Sequence, residues 1–474
     1  MSDAPLWQWS ACDLSAAIRD GEVTSEAAVA SVVERVAATN GEINAIVDDL
    51  SEEALATAAA RDRQRAAGES LGPLHGVPVT VKENVDQEGR ATPNGVKGFA
   101  NIIAPADSPV VANLRKAGAV IVGRTNTPEF SFRATTDNVL HGATCNPWDH
   151  SKSSGGSSGG ASAAALMGYG PIAHGNDIGG SLRFPSTACG LATVRPTLGR
   201  VPAYNPSAGE ERGMLAQLMS VQGAIAREVR DVRLATRVMA EGDPRDPWWV
   251  PVPFDGPALG KPVRVAVTRY SPGYRIHPAV LEAVGKAADH LSDAGYDVVE
   301  ADPPCMDEIG EAFMRNLFGE MEVLLRETIR TYGSETINRI IDDYGVLYGK
   351  ASPEELIRGM ADRTRIARAW NLFLDEHPLV LTPFLMRPIF GLREDAEGRE
   401  QVHDIFQSSH YSFAMNFLGL PAAVIPALQH EGLPIGVQIV GRRYREDLCL
   451  DAAEAVEQRV GVMAHRFWQR EGWA

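Results

Sequence analysis

The chain has 474 residues, of which 44% are hydrophobic and 22% are charged. These values are ordinary for a globular protein and argue against a largely disordered chain. Lys and Arg total 45 against 61 Asp and Glu, so the formal net charge is −16. That balance argues against a surface that binds nucleic acid or an anionic membrane.

The five cysteines lie far apart, and none forms a Cys-x-x-Cys pair. This spacing indicates neither a disulfide framework nor a zinc ribbon, and it is typical of thiols in a reducing compartment. Residues 1–5 lack the basic and apolar regions of a signal peptide. The uncharged stretch 153–176 is rich in Gly, Ser and Ala, which argues against a membrane span. We therefore expect a cytoplasmic protein.

The predicted elements of the first third alternate between helices and strands. Periodicity and capping residues indicate helices at 25–40, 51–67 and 108–117, and apolar runs indicate strands at 76–82 and 119–123. Such an alternation is typical of an α/β protein.

The remaining predicted elements follow the same pattern. A β-α-β unit is expected at 263–267, 279–294 and 296–300, amphipathic helices at 309–330 and 354–377, strands at 379–382, 422–426 and 435–440, and a last helix at 446–458. Strands near both ends of the chain predict one sheet closed by distant segments. We expect a single α/β domain over 1–474, with a mixed, largely parallel sheet flanked by helices. Within it, 143–213 is the functional centre and 260–378 the more variable part.

The glycine- and serine-rich tract at 155–160 allows two interpretations. Residues 155–159 match Gly-x-Ser-x-Gly, the nucleophile turn of α/β-hydrolases, but that turn follows an apolar strand. Residues 148–154 are polar instead, which argues against that fold. For the tract alone, a flexible linker is the alternative.

A second glycine-rich motif, Asp-Ile-Gly-Gly-Ser-Leu-Arg, occupies residues 177–183. Consecutive glycines let the backbone turn several N–H groups toward one point, where they can hold an oxyanion beside a hydroxyl nucleophile. Ser181 is that candidate nucleophile. For Gly-Gly-Ser alone, a simple tight turn is the alternative.

A serine hydroxyl needs a base to become nucleophilic. His174 is the base suggested by the commonness of Ser–His pairing, but nothing in the sequence places it beside Ser181. Lys82 follows the apolar run 77–81, which predicts a buried side chain. A buried lysine loses its charge readily and can act as a general base.

Taken together, these motifs resemble the amidase signature family of serine hydrolases. The tract at 155–160 is followed by the second motif so that Ser181 lies 24 residues after Ser157. The resemblance extends over nearly the whole chain, with matching stretches at 76–84, 123–130, 146–148, 416–422 and 432–438. This combination argues against the linker and turn alternatives.

The resemblance implies a Ser-cisSer-Lys triad. In this sequence Ser181 would be the nucleophile and Lys82 the base. Ser157 would be the serine that bridges them, and a cis peptide bond from Gly156 is expected to precede it. The proton would pass from Ser181 through Ser157 to a neutral Lys82.

The resemblance also implies how the second motif is built. The oxyanion hole would consist of the backbone N–H groups of Ile178, Gly179, Gly180 and Ser181. Asp177 and Arg183 are expected to pair and brace this loop, with an ordinary surface ion pair as the alternative.

The implied reaction is hydrolysis of a carboxamide C–N bond through an acyl-enzyme, with carbamates as related substrates. No metal and no organic cofactor is expected. Candidate substrate-binding residues are Phe130, Arg133 and Tyr204, with plain core packing as the alternative. His174 and Asn176 stand where Gly and Thr are commoner in the family, which leaves the acyl group open.

Two other functions fit the same family. One is the A subunit of a tRNA-dependent amidotransferase, which works in a complex and takes ammonia from glutamine. The other is a non-catalytic binding protein on an amidase scaffold, which the presence of Lys82, Ser157 and Ser181 disfavours. A homodimer is the working assumption for the oligomeric state.

Overall fold

Eleven strands form one sheet that runs through the molecule. The computed structural model describes residues 4–349 and 351–473, so residues 1–3, which contribute to the expectation about a signal peptide, lie outside the described residues. The strands are β1 Ile46–Asp49, β2 Pro78–Lys82, β3 Val120–Thr125, β4 Ile172–Asp177, β5 Ala192–Arg195, β6 Val221–Ala226, β7 Arg264–Val267, β8 Asp297–Glu300, β9 Leu379–Pro383, β10 Ala422–His430 and β11 Leu433–Gly441.

The order across the sheet is β1-β3-β2-β4-β6-β5-β10-β11-β9-β7-β8. The C-terminal strands β10 and β11 lie in the middle, between β5 and β9, so distant segments close one sheet as expected. The β-α-β unit at 263–300 is also present, with β7 and β8 paired in parallel.

The sheet is mixed, but it is not largely parallel. Four strand pairings are parallel, and six are antiparallel. The antiparallel pairings include the hairpin β10–β11, whose two-residue turn has φ +50 at Glu431 and φ +79 at Gly432. Such turns join antiparallel strands, whereas parallel neighbours need a longer crossover.

Each predicted helix is present, one of them in two parts, among the seventeen helices that the described residues form around the sheet. They are α1 Ala11–Asp20, α2 Ser25–Ile43, α3 Ser51–Ala66, α4 Pro109–Lys116, α5 Gly159–Met167, α6 Arg183–Cys189, α7 Met214–Met219, α8 Val229–Met239, α9 Pro278–Asp293, α10 Met306–Leu324, α11 Arg326–Tyr332, α12 Glu335–Tyr348, α13 Pro353–Glu376, α14 Arg399–Gln407, α15 His410–Leu418, α16 Glu446–Val460 and α17 Met463–Arg470.

One predicted helix is divided. The stretch 309–330 forms α10 and α11, because Leu325 between them has φ −122 and leaves the helical conformation. None of the helices in the described part of the chain is both long and apolar enough to cross a membrane.

Alternation along β2 directs Lys82 toward the site. Val77, Val79 and Val81 are buried in an apolar cluster with residues of α1, α4 and α8. Because successive side chains of a strand point to opposite faces, Lys82 points to the other face of the sheet. Helix α5, which begins just after Ser157, packs beside β2 and β4.

Candidate active site

The candidate site lies where two neighbouring parallel strands end. Strand β2 ends at Lys82, and strand β4, which pairs with it in parallel, ends at Asp177. The carboxyl ends of parallel strands meet at the same edge of a sheet, so residues of the two sequence motifs come together there. The loop that carries Ser157 reaches the same edge.

The amino group of Lys82 has three polar neighbours. Its Nζ atom lies 2.8 Å from Ser157 Oγ, 3.1 Å from Ser158 Oγ and 2.8 Å from Asn176 Oδ1. The side chain is fully buried, with 0% of its surface exposed. The structure therefore brings together Lys82 and Ser157, as the sequence predicts.

Burial lowers the pKa of Lys82 well below its usual value, although the negative charges of Asp177 and Glu83 oppose this shift. A neutral amine has two N–H donors and one lone pair. Ser158 Oγ and the Asn176 amide oxygen can accept the two N–H groups, which leaves the lone pair to accept the Ser157 hydroxyl proton. The arrangement suits Lys82 to proton transfer.

The loop before α5 approaches another stretch of backbone closely. The Gly156–Ser157 peptide bond is cis, as expected. A Cβ atom at Gly156 would lie 2.5 Å from the carbonyl oxygen of Arg133. Only glycine allows the loop to approach the chain at this point.

Ser181 lies on the wall of a cavity and is 8% exposed. Within the described residues, its hydroxyl makes no hydrogen bond, so the structure does not join Ser181 to Ser157 directly. The backbone N–H groups of Ile178, Gly179 and Ser181 are likewise without an acceptor in the part of the chain that the structure describes. Three of the four predicted oxyanion-hole donors are therefore free.

The fourth predicted donor is occupied, which corrects the expectation for Gly180. Its N–H donates to Asp177 Oδ1 at 2.9 Å, so this group braces the loop instead of facing the cavity. Gly180 has φ +127, and a Cβ atom there would lie 2.3 Å from Ser412 Oγ. The position requires glycine for both reasons.

Asp177 and Arg183 form a buried, bidentate ion pair. Arg183 Nε and Nη2 each lie 3.0 Å from a carboxylate oxygen of Asp177, and both side chains are 0% exposed. Burial opposes ionisation of Asp177, but the Arg183 charge and hydrogen bonds outweigh it and lower the pKa to about 2. The predicted brace is confirmed, and the alternative of a surface ion pair is wrong.

His174, the other candidate base, is engaged elsewhere. Its Nδ1 accepts a hydrogen bond from the backbone N–H of Lys82 at 3.4 Å, and its Nε2 lies 3.0 Å from Gln222 Oε1. Burial lowers the pKa of His174 to about 4. The ring is therefore neutral at pH 7 and supports β2 rather than a nucleophile.

The cavity beside Ser181 is largely aromatic. Its empty space, including the part open to solvent, is about 650 Å³. One wall comes from the loops at 131–134 and 178–181, and the other comes from α10, α12, α14 and α15. The aromatic side chains in the lining are Phe132, Phe184, Phe313, Phe318, Tyr344, Phe406 and Phe413.

Of the three candidate substrate-binding residues, Arg133 lines the cavity. Its guanidinium group is paired with Asp395 at 2.8 Å. Phe130 and Tyr204 are outside the lining. The Phe130 ring packs edge-on against Phe99, with 5.8 Å between ring centres, and Tyr204 lies beneath the guanidinium group of Arg245.

Sequence reasoning does not identify every residue of the site. The position of Asn176 before Asp177 is distinctive in the sequence, but its contact with Lys82 is visible only in the structure, and so is that of Ser158. Both residues are adjacent in sequence to predicted site residues, and this adjacency is the signal from which they could have been predicted. The aromatic residues of α10, α12, α14 and α15 give no such signal, because their helices are distant from the motifs in sequence.

Comparison with known proteins places this architecture in a family. The amidase family model matches residues 27–450 of the chain. The chain belongs to the amidase signature family. An indoleacetamide hydrolase of Bradyrhizobium diazoefficiens is 49% identical over 469 residues, which cover 98% of this chain and 89% of that protein.

Other members of the family align over the same length. The A subunit of the glutamyl-tRNA(Gln) amidotransferase of Moorella thermoacetica is 32% identical, covering 96% of this chain and 97% of that one. The crystal structure of a bacterial aryl acylamidase of the amidase signature family superimposes with a TM-score of 0.84 and 26% identity, covering 98% of each chain. This amidase signature protein is an enzyme that hydrolyses an amide C–N bond, so the non-catalytic alternative is wrong.

Proposed function

We propose that the protein hydrolyses the primary amide of an arylacetic acid, such as indole-3-acetamide, to the carboxylate and ammonia. The observation that carries this proposal is the aromatic cavity next to the free hydroxyl of Ser181. The 49% identity to an indoleacetamide hydrolase supports the same substrate class. A flat, apolar acyl group would bury its ring against these side chains, which favours binding.

In the proposed first step, Ser181 Oγ attacks the amide carbon. A bond forms between these atoms while the Ser181 proton passes to Ser157, and the Ser157 proton passes to neutral Lys82. The free N–H groups of Ile178 and Gly179 stabilise the negative charge on the amide oxygen.

In the steps that follow, the C–N bond breaks and the proton held by Lys82 returns through Ser157 to the leaving nitrogen. Ammonia departs and leaves an ester on Ser181. Water then attacks this ester by the same proton route and releases the carboxylate. The proton transfers in these steps use Ser181, Ser157 and Lys82, and water is the second substrate.

The A subunit of an amidotransferase is the alternative, and the cavity argues against it. Glutamine carries an ammonium and a carboxylate group, and both need charged or polar partners when buried. The charged side chains in the lining are Arg133 and Asp395, and they pair with each other. Neither is free to bind a charged substrate.

The proposal is tested by ammonia release from indole-3-acetamide, phenylacetamide, glutamine and an aryl carbamate. We expect the highest kcat/KM for the two arylacetamides, and Ser181→Ala serves as the inactive control. A preference for glutamine would identify the amidotransferase activity, and a preference for the carbamate would identify a carbamate hydrolase. The cytoplasmic location and the homodimer remain predictions, to be tested by cell fractionation and light scattering.

A further inference from the structure

The cavity lining contains five polar or charged side chains, and three of them are satisfied by the protein. Arg133 and Asp395 pair with each other, and Asp395 Oδ1 also accepts a hydrogen bond from Thr135 at 2.8 Å. Ser131 Oγ donates to Asn94 Oδ1 at 2.6 Å and accepts from an amide N–H of another asparagine. The hydrogen-bonding groups of these three side chains are therefore paired within the protein.

The other two polar side chains are the hydroxyls of Ser181 and Tyr344. Neither forms a hydrogen bond within residues 4–349 and 351–473. Tyr344 is only 4% exposed, and a buried tyrosine hydroxyl usually has a partner. Ser181 is the proposed nucleophile. Among the polar side chains of the described lining, Tyr344 therefore has neither a hydrogen-bond partner nor a catalytic role.

The ring of Tyr344 is held firmly in place. It packs against Phe318, with ring centres 4.5 Å apart, and edge-on against Phe406 at 4.8 Å. Both neighbours also line the cavity. The hydroxyl is therefore a fixed polar point within an aromatic wall, which is the kind of group that orients a ligand.

We propose that the Tyr344 hydroxyl accepts a hydrogen bond from a ring N–H of the acyl group, so that the enzyme selects heteroaryl acetamides such as the indole over carbocyclic or sulfur analogues. This inference rests on the proposed function. The oxygen of a neutral phenol has lone pairs that can accept a hydrogen bond from such an N–H group. Burial, and then the charge of Asp395, raises the pKa of Tyr344, so the phenol is neutral at pH 7.

The chain offers a matched control on the same helix. Tyr348 lies one turn after Tyr344 and packs against the same Phe406, with ring centres 5.5 Å apart. Its hydroxyl is also buried without a partner among the described residues, but Tyr348 is not part of the cavity lining. Removing this hydroxyl tests the loss of a phenol oxygen without touching the proposed contact.

The experiment measures kcat/KM for indole-3-acetamide and benzothiophene-3-acetamide, which have similar shapes but differ in the ring N–H. The wild type should prefer the indole by about tenfold, the effect of one hydrogen bond at a buried site. Tyr344→Phe should remove this preference by slowing the indole substrate alone. Tyr348→Phe should keep it.

Other results would overturn the inference in distinguishable ways. If Tyr344→Phe slows both substrates equally, the hydroxyl has a structural role. If the wild type hydrolyses both substrates equally well, the ring N–H is not recognised, although the proposed function stands. If the wild type hydrolyses neither substrate but acts on another amide, the proposed function itself fails, and the inference fails with it.

Discussion

The Nζ atom of Lys82 lies 2.8 Å from the amide oxygen of Asn176. The orientation of that amide is fixed, because its Nδ2 donates to Asn84 Oδ1 at 2.9 Å. The buried amino group thus has a neutral acceptor beside it, whereas a carboxylate at this position would stabilise the ammonium form. A neutral acceptor is consistent with a lysine that must lose its proton to act as a base.

The first prediction concerns the pH dependence. Only the neutral form of Lys82 can accept a proton, so kcat/KM should rise with pH along one limb. Because burial lowers the pKa of Lys82, the limb should lie well below the usual lysine value of about 10.4. Lys82→Arg should be nearly inactive, since a guanidinium group does not lose its proton in this range. His174→Gln should retain the limb, and its loss in that variant would identify histidine as the base.

Asn176→Asp should move that limb to higher pH. The new carboxylate would lie in contact with Lys82 and stabilise its charged form. The pKa of Lys82 would rise, and a higher pH would be needed to produce the neutral amine. Asn84→Asp is the matched control. The Asn84 side chain contacts Asn176, which in turn contacts Lys82, so a carboxylate at position 84 should cause a smaller shift. A limb that stays in place in Asn176→Asp would contradict the role of Lys82. The measurement is kcat/KM across a pH series for the three proteins.

Asp177→Asn should destabilise the fold by about 3–5 kcal/mol, because it leaves the buried Arg183 charge without its partner. Urea unfolding at pH 7 measures this change. The exposed pair Arg358–Glu354 provides a control, since Glu354→Gln should change stability by less than about 1 kcal/mol. Equal effects of the two substitutions would contradict the bracing role.

The same ion pair predicts a loss of stability in acid. The pKa of Asp177 is about 2 in the folded protein, below the value of about 3.9 for an unfolded aspartate. The unfolded chain therefore binds the proton more readily, so the contribution of Asp177 is complete above about pH 5 and is lost as the pH falls toward 2. Asp177→Asn should lack this component in unfolding measurements between about pH 5 and pH 2.

The two glycines of the loop before Ser181 should respond differently to substitution. In Gly180→Ala the new methyl group would lie 2.3 Å from Ser412 Oγ and the backbone has φ +127, so folding yield and activity should both fall. In Gly179→Ala the nearest atom, in the Phe313 ring, is 3.5 Å away, which is an ordinary contact. That variant should fold normally and lose activity mainly toward bulky acyl groups. Thermal unfolding and kcat/KM for both variants check this pair.

Local sequence patterns predicted much of the fold and part of the site. The β-α-β unit and the positions of Lys82 and Ser157 depend on periodicity and on short motifs, which act over a few residues. Six of the strand pairings among the described residues are antiparallel. The hairpin β10–β11 follows from a local turn, but pairings such as β5–β10 and β9–β11 were not predictable, because they join segments that are distant in the sequence.

The substrate cavity was least predictable for the same reason. Phe313, Tyr344 and Phe406 come from separate helices, and apolar residues at helical spacing indicate only a buried face. The direction of the Gly180 backbone N–H was also not predictable. The same Gly-Gly-Ser sequence is compatible with an N–H group that points to the substrate and with one that points to Asp177. Tertiary packing decides between them.

The most direct test of the triad assignment is to find the residue that becomes acylated. The protein is mixed with a slowly hydrolysed arylacetate ester, quenched in acid and digested, and the modified peptide is identified by mass spectrometry. The assignment predicts one adduct, on Ser181, that is absent in Ser181→Ala and forms more slowly in Lys82→Met. An adduct on Ser157, or undiminished labelling in Ser181→Ala, would contradict it.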